Sequence, residues 1–326
     1  MQVDIGAYAE AYLDDWDRRA TVRGQRRYRL TPDAIDKELY PESLLSILGH
    51  PAIVARGAET RRRIVVLAAC AFQEAIAGIE TDLVADLCSR LANEGAGVPV
   101  PGAVRQVALT IATDELYHAY VAREFATDIE RLTGIPAMAS DGSRPPLYAA
   151  VTFVRDTAPA GLRRSAETMA LCIAEHFVTE ELFGVAKDSA PDSPFHFMLR
   201  EHLIDEGRHQ AFFQHLMRHL WETSDDAARV GLGRLIPGFL AAFLDPEFYR
   251  RTDGHILDRL GFGLAERERI VGETRMAAAT PAAGGKAALP AARHPFRLMR
   301  GAGILDHRPT HTLLIESGWL PAESAA

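Results

Sequence analysis

Long apolar runs are missing from this 326-residue chain. The longest, Ile64 to Phe72, falls far short of the roughly 20 residues that a bilayer-crossing helix needs, so no membrane span is expected. The start, Met1-Gln2-Val3-Asp4-Ile5-Gly6, lacks the basic and apolar regions of a secretory leader and is soon followed by Asp14, Asp15 and Asp17. A cytoplasmic location is the expectation. Cysteine is scarce: the three present, Cys70, Cys88 and Cys172, lie inside apolar helical patterns without Cys-x-x-Cys spacing. Neither a disulfide framework nor a zinc knot is indicated, and all three read as buried small residues. Positive charge is also short. With a net charge of -8 and only Arg61 to Arg63 as a basic cluster, nucleic acid is not expected as a partner.

Strand-like alternation is almost absent, whereas apolar residues recur at three- and four-residue spacing through most of the chain, which predicts an all-α protein. Pro32, Pro41, Gly49 and Pro51 break residues 29 to 56 into short helices and turns. Long helices are predicted from Glu59 to Ala92, Ala103 to Leu132, Gly161 to Ala186 and Ser193 to Thr223, with a short one near Leu147 to Asp156. The stops are Asn93-Glu94-Gly95-Ala96-Gly97 after the first and Thr133-Gly134-Ile135-Pro136 after the second. Two flanking helices are expected over Asp225 to Phe243 and Ile256 to Ala278. The small-residue segment 276–293 reads as a mobile loop. Residues 294–320 are apolar enough to dock back on the body. The whole chain, 1–326, is expected to form a single helical domain around a four-helix core at residues 59–223.

One pattern occurs twice in the predicted helices: Thr113-Asp114-Glu115-Leu116-Tyr117-His118 and Ile204-Asp205-Glu206-Gly207-Arg208-His209. A chain of this composition should hold roughly one Glu-x-x-His by chance, but Asp-Glu-x-x-His twice only about one time in a thousand. On a helix Glu115 and His118 face one partner, as do Glu206 and His209. Two such pairs facing each other, with one more carboxylate from each of two other helices, are how ferritin-like bundles hold a di-metal site. Glu80 supplies the first extra carboxylate, since Ile76, Ala77, Leu83 and Val84 share its face, while Glu74 and Asp82 point elsewhere. Glu175 supplies the second, with Leu171, Cys172, Val178, Thr179 and Leu182 around it, whereas Glu180 and Glu181 lie round the axis. His202 stands in register with Glu206 and His209 and adds a third imidazole.

The predicted metal ligands are therefore Glu80, Glu115, His118, Glu175, His202, Glu206 and His209. Oxygen and nitrogen donors without thiolate suit iron or manganese, and two Fe(II) ions neutralise four carboxylates that would be costly to bury alone. Asp114 and Asp205 are expected to accept hydrogen bonds from ligand imidazoles. His176, His196, His215 and His219 read as satisfied or surface histidines. Tyr117 and Tyr120 read as core-packing residues, and Arg208 as either a substrate anchor or a salt bridge to a neighbouring helix.

The order Glu80, then Glu115-Leu116-Tyr117-His118, then Glu175, then His202-Leu203-Ile204-Asp205-Glu206-Gly207-Arg208-His209 resembles the para-aminobenzoate N-oxygenase family of di-iron enzymes. The third histidine sets that family apart within the ferritin-like superfamily. The likeness spans roughly residues 40 to 225, including Leu39-Tyr40-Pro41-Glu42-Ser43-Leu44 and Gly49-His50-Pro51. It implies two iron ions cycling between Fe(II) and Fe(III), O2 as co-substrate and an external electron donor, either a protein or a small reductant. A peroxo-diferric species would carry a small-molecule primary amine, an arylamine, through hydroxylamine and nitroso toward nitro in secondary metabolism such as antibiotic biosynthesis. A homodimer is expected. Other readings are a di-iron hydroxylase, desaturase or oxidative-cleavage enzyme acting at carbon, and an N-oxygenase of an aliphatic or amino-acid-derived amine. An iron-storing ferroxidase and a ribonucleotide-reductase radical subunit stand further off.

Overall fold

A computed structural model describes residues 4–24, 27–137, 144–278, 286 and 293–321, with only the backbone described for Glu181 and for 275–278. Among the described residues there are helices and turns and no strand. The predicted loop at 276–293 lies almost wholly outside them.

The chain opens with α1 (Ile5–Arg19), a helix the periodicity did not flag. Its start is fixed by Asp4, whose side chain accepts from the Gly6 and Ala7 N–H groups. Single helical turns follow at Thr21–Arg23, Pro32–Ala34, Glu42–Leu44 and Ser46–Gly49, then α2 (Pro51–Val54), as the proline spacing predicts. The core helices are α3 (Gly57–Ile79) continuing into α4 (Ala85–Glu94), α5 (Gly102–Thr133), α7 (Arg163–Asp188) and α8 (Pro194–Thr223), with α6 (Pro146–Thr157) between α5 and α7. Gly134, left-handed at φ 68°, ends α5 at the predicted stop. Ser193 caps α8 by accepting from the His196 N–H.

Beyond the core lie α9 (Asp226–Phe243), α10 (Glu247–Arg259), α11 (Leu264–Ala278), α12 (Arg293–Gly301) and α13 (Arg308–Glu316). The helix predicted over Ile256 to Ala278 is in fact two. The backbone turns at Gly261, whose φ of 77° a residue with a side chain rarely adopts, and the run begins earlier, at Glu247.

Helices α3 and α4 pack along α5, and α7 packs along α8. The two pairs meet so that α5 and α8, which carry the repeated motif, face each other, while α1 lies across both. Apolar side chains fill the interior, with Phe212 and Phe213 on α8 and Phe239 on α9 fully buried, each such burial contributing about 1.5–3 kcal/mol. Leu298, Met299, Ile304, Leu314 and Trp319 of the C-terminal segment are buried in the same cluster. Cys70, Cys88 and Cys172 are buried free thiols.

Residues 57–94 and 226–259 are long and apolar enough by composition to cross a bilayer, which counting only uninterrupted apolar runs overlooked. The first is a core element of the bundle, and 61% of its apolar 18-residue window is buried within the protein.

Between α3 and α4 the helix widens into a π turn, Glu80–Val84, where the Ala85 N–H donates to the Glu80 carbonyl. The turn is secured from both sides. The Tyr148 hydroxyl on α6 donates to the Gly78 carbonyl at 2.7 Å, and the Thr81 hydroxyl to Ala77 at 2.8 Å. Such turns inside α-helices occur often at functional sites, and this one begins at a predicted ligand. The continuous α-helix expected from Glu59 to Ala92 did not include it.

Candidate metal centre

Helical spacing puts Glu115 and His118 on the face of α5 that meets α8, and Glu206 and His209 on the face of α8 that meets α5. Glu80 enters from the π turn and Glu175 from α7. All seven predicted ligands are buried, at 0–7% exposure. Six of them converge as two triads, Glu80 with His118 and His202, and Glu115 with Glu206 and His209, the donor atoms of each lying within 4.8 Å of one another.

Two carboxylates join the triads. Glu206 Oε1 lies 3.2 Å from His202 Nε2, 3.5 Å from His118 Nδ1 and 3.4 Å from His209 Nδ1. Glu115 reaches His209 Nδ1 at 2.8 Å with one oxygen and His118 Nδ1 at 3.5 Å with the other. Glu80 Oε1 stands 3.2 Å from His202 Nε2. Glu175 falls in neither triad, although its charge acts on Glu80, Cys88 and Cys172.

The outer nitrogens of the imidazoles are held crosswise. His118 Nε2 is 3.0 Å from Asp205 Oδ2 on α8, and His209 Nε2 is 3.2 Å from Asp114 Oδ2 on α5. Both aspartates are themselves fully engaged. Asp114 accepts from the Trp16 indole N–H at 2.9 and 3.0 Å, and Asp205 from the Thr21 N–H at 3.2 Å and its hydroxyl at 2.5 Å. Arg208 bonds Asp205 and lies 3.7 Å from Asp114, so of its two expected roles the structure shows the salt bridge. The Thr179 hydroxyl donates to Glu206 Oε2 at 3.1 Å.

The donor set fits two hard cations. Glu80 Oε2, Glu115 Oε1, His118 Nδ1 and His209 Nδ1 are buried without a well-formed hydrogen bond, although Glu115 Oε1 lies 2.8 Å from His209 Nδ1. Orphaned groups of this kind are expensive in a protein interior unless something accepts their lone pairs. Burial pushes Glu80 and Glu175 well above the usual carboxylate range, and the charges of Glu115 and Glu206 push them further. Burial opposes ionisation of Glu206 too, but the His202 and His209 rings beside it hold it well below that range. Against the same burial, His118 is raised by its bond to Asp205, and His209 by Tyr12 and Glu115. The cluster thus gathers positive charge around its carboxylates, the role a pair of divalent ions fills better. Cys88 and Cys172, raised well above their usual range by burial and then by Glu175, stay neutral thiols, leaving oxygen and nitrogen donors.

Several side chains differ from their expected roles. Tyr120 is an exposed residue whose hydroxyl donates to Glu124 and accepts from Arg27, so it is no core residue. The phenol beside the cluster is Tyr12 of α1, buried, with its hydroxyl unpartnered. His196 meets Ser189 and His219 meets the Pro99 carbonyl, as satisfied histidines should. His176 does not: it is buried with both ring nitrogens unpartnered, and burial lowers it to about 4. A surface cavity of about 930 Å³ opens beside Arg218, Trp221, Arg229 and Arg300, away from both triads. Trp16, Thr21 and Thr179 carried no sequence signal, since their partners are distant in the chain.

No curated protein matches the chain. The family model described as p-aminobenzoate N-oxygenase AurF matches residues 8–277, taking in most of α1 and α11 as well as the four core helices. The match is wider than the stretch that carried the motif resemblance. The chain belongs to the AurF family of p-aminobenzoate N-oxygenases, di-iron oxidoreductases.

Proposed function

We propose that the chain uses O2 to oxygenate the nitrogen of a primary aryl amine, carrying it through hydroxylamine and nitroso stages toward nitro. The observation that carries this reading is the pair of triads joined by Glu115 and Glu206, with His202 as a third imidazole. Glu80, His118 and His202 would hold one iron and Glu115, Glu206 and His209 the other, with Glu175 completing the ligand set from α7. The two irons, when bound, supply activation of O2 and take up electrons from an external donor.

The protein's own residues set the conditions for that chemistry. Asp205 and Asp114 fix which imidazole nitrogen faces inward. Apolar walls from α3, α5, α7 and α8 exclude bulk water, so the reactive nitrogen meets oxidant rather than solvent. Arg208 bonds Asp205 through one terminal guanidinium nitrogen, while its Nε and its other terminal nitrogen are buried without a partner. A cytoplasmic homodimer serving secondary metabolism belongs to the same reading.

The test is iron content with product analysis. After anaerobic loading with Fe(II) and desalting, the protein should retain about two irons per chain, the number that two triads hold. On exposure to O2 with reductant and 4-aminobenzoate or related anilines, it should yield hydroxylamino, nitroso or nitro products. A carbon-oxidised product with an intact amine would move the reading to a hydroxylase.

A further inference from the structure

Gln73 is fully buried, and neither its amide nitrogen nor its amide oxygen has a hydrogen-bond partner. It lies on α3, on the same face as Glu80 and about two turns, or ~10 Å, before it. The same step from His209 lands on His202, itself a predicted ligand, and from the other five toward that end of the bundle it reaches Ala122 and Phe125 on α5, Leu182 on α7, and Phe195 and Leu199 on α8. The latter are all buried and apolar. One uncapped amide therefore stands in an otherwise apolar layer beside the cluster.

At the opposite end the equivalent polar residue, Thr168, is satisfied by the Ala96 carbonyl. The contrast matters because a buried amide left unpaired costs stability, while an apolar side chain of the same size would not. From the Gln73 layer toward Glu80 the small side chains of Ala122, Ala119 and Ala77 pack together, the smallest that keep a helix.

We propose that Gln73 is a substrate-positioning residue that hydrogen-bonds an uncharged polar group para to the amine of an aryl amine substrate; the proposal rests on the N-oxygenation reading above. A para-disubstituted ring has the length to join a nitrogen at the cluster to an amide two helical turns away. Glutamine offers two donors and an acceptor, which matches a carboxamide or hydroxyl. A carboxylate matches poorly. It has no donor and would leave the glutamine oxygen unpaired.

The test is anaerobic calorimetric binding of 4-aminobenzamide, 4-methylaniline and 4-aminobenzoate to the Fe(II)-loaded full chain and to its Gln73→Leu and Gln73→Met variants. Wild type should bind the benzamide about tenfold more tightly than the methyl compound, the scale of one good hydrogen-bond pair, and more tightly than the benzoate. Both variants should lose that preference while melting at or above the wild-type temperature. A preference that survives either substitution, tighter binding of the benzoate to wild type, or no binding of any of the three overturns the proposal. Product analysis separates it from the reading beneath it. Lost selectivity with carbon-oxidised products would remove N-oxygenation and leave Gln73 in place, whereas nitroso or nitro products with selectivity unmoved would do the reverse.

Discussion

Asp114 accepts from His209 and Asp205 accepts from His118, so the aspartate of each repeated motif orients the histidine of the other. Neither motif is complete alone. The helix pair α5 and α8 must be in register before either imidazole turns its Nδ1 inward, which couples assembly of the bundle to assembly of the site.

Replacing Asp114 or Asp205 with asparagine should therefore weaken iron binding about 10- to 100-fold while leaving the helices in place. Competition titration against a chromogenic chelator measures this. Trp16→Phe removes one donor to Asp114 and should produce a smaller loss at the same site. Unchanged affinity in both aspartate variants would remove the crosswise bonds from the account.

His202→Ala should release one iron and keep the other. His202 belongs to the triad with Glu80 and His118, whereas the Glu115, Glu206 and His209 set lacks it. Metal analysis of the variant should give about one iron per chain, since one triad of donors stays whole. Glu206→Ala, which removes a carboxylate reaching both sets, should lose both.

Those expectations rest on parts of the molecule that were legible from the chain, and the reason is periodicity. Ile76, Ala77, Leu83 and Val84, whose spacing marks Glu80 as inward-facing, are all buried. Glu115, His118, Glu206 and His209 lie where helical spacing puts them, because predicted ligands and core positions obey the same repeat. What escaped was set by contacts far apart in sequence. Trp16 meets Asp114 across a separation of 98 residues, and no local pattern marks that pairing. The break at Gly261 had a glycine to announce it, yet the apolar repeat on either side looked continuous. Proximity in sequence to His118 suggests a core position for Tyr120, but it lies on the outer arc of α5, where Arg27 and Glu124 engage it.

Metal affinity should rise with pH. Burial raises Glu80 and Glu175, so they keep protons above the ordinary carboxylate range, and the raised His118 and His209 keep theirs above the usual imidazole range. A cation must displace those protons. Raising pH through these raised values removes the competitor, and binding at a fixed pH should release protons. Titration calorimetry in two buffers of different ionisation heat counts them; a count of zero would contradict the assignment of these groups.

Tyr148→Phe should destabilise the protein by about 1 kcal/mol through loss of its bond to the Gly78 carbonyl. Because that bond secures the π turn bearing Glu80, the same variant should disturb the Glu80 triad more than the other. Thermal melts give the first quantity. Stepwise Fe(II) binding isotherms give the second, with only the weaker of two steps shifted.

The π turn also changes the phase of a helix. Val66, Ala69, Cys70 and Ile76 on α3 belong to one apolar core, whereas Leu83 and Val84 at the end of the turn and Leu87, Cys88 and Leu91 beyond it belong to another. A single α-helical repeat would drift out of step with one of the two. The extra residue resets the angle by about 100°, and Glu80 sits at the reset. Deleting one residue there would restore a regular helix and rotate everything after it, so the position that carries a predicted metal ligand is also the point at which two halves of the interior are brought into alignment.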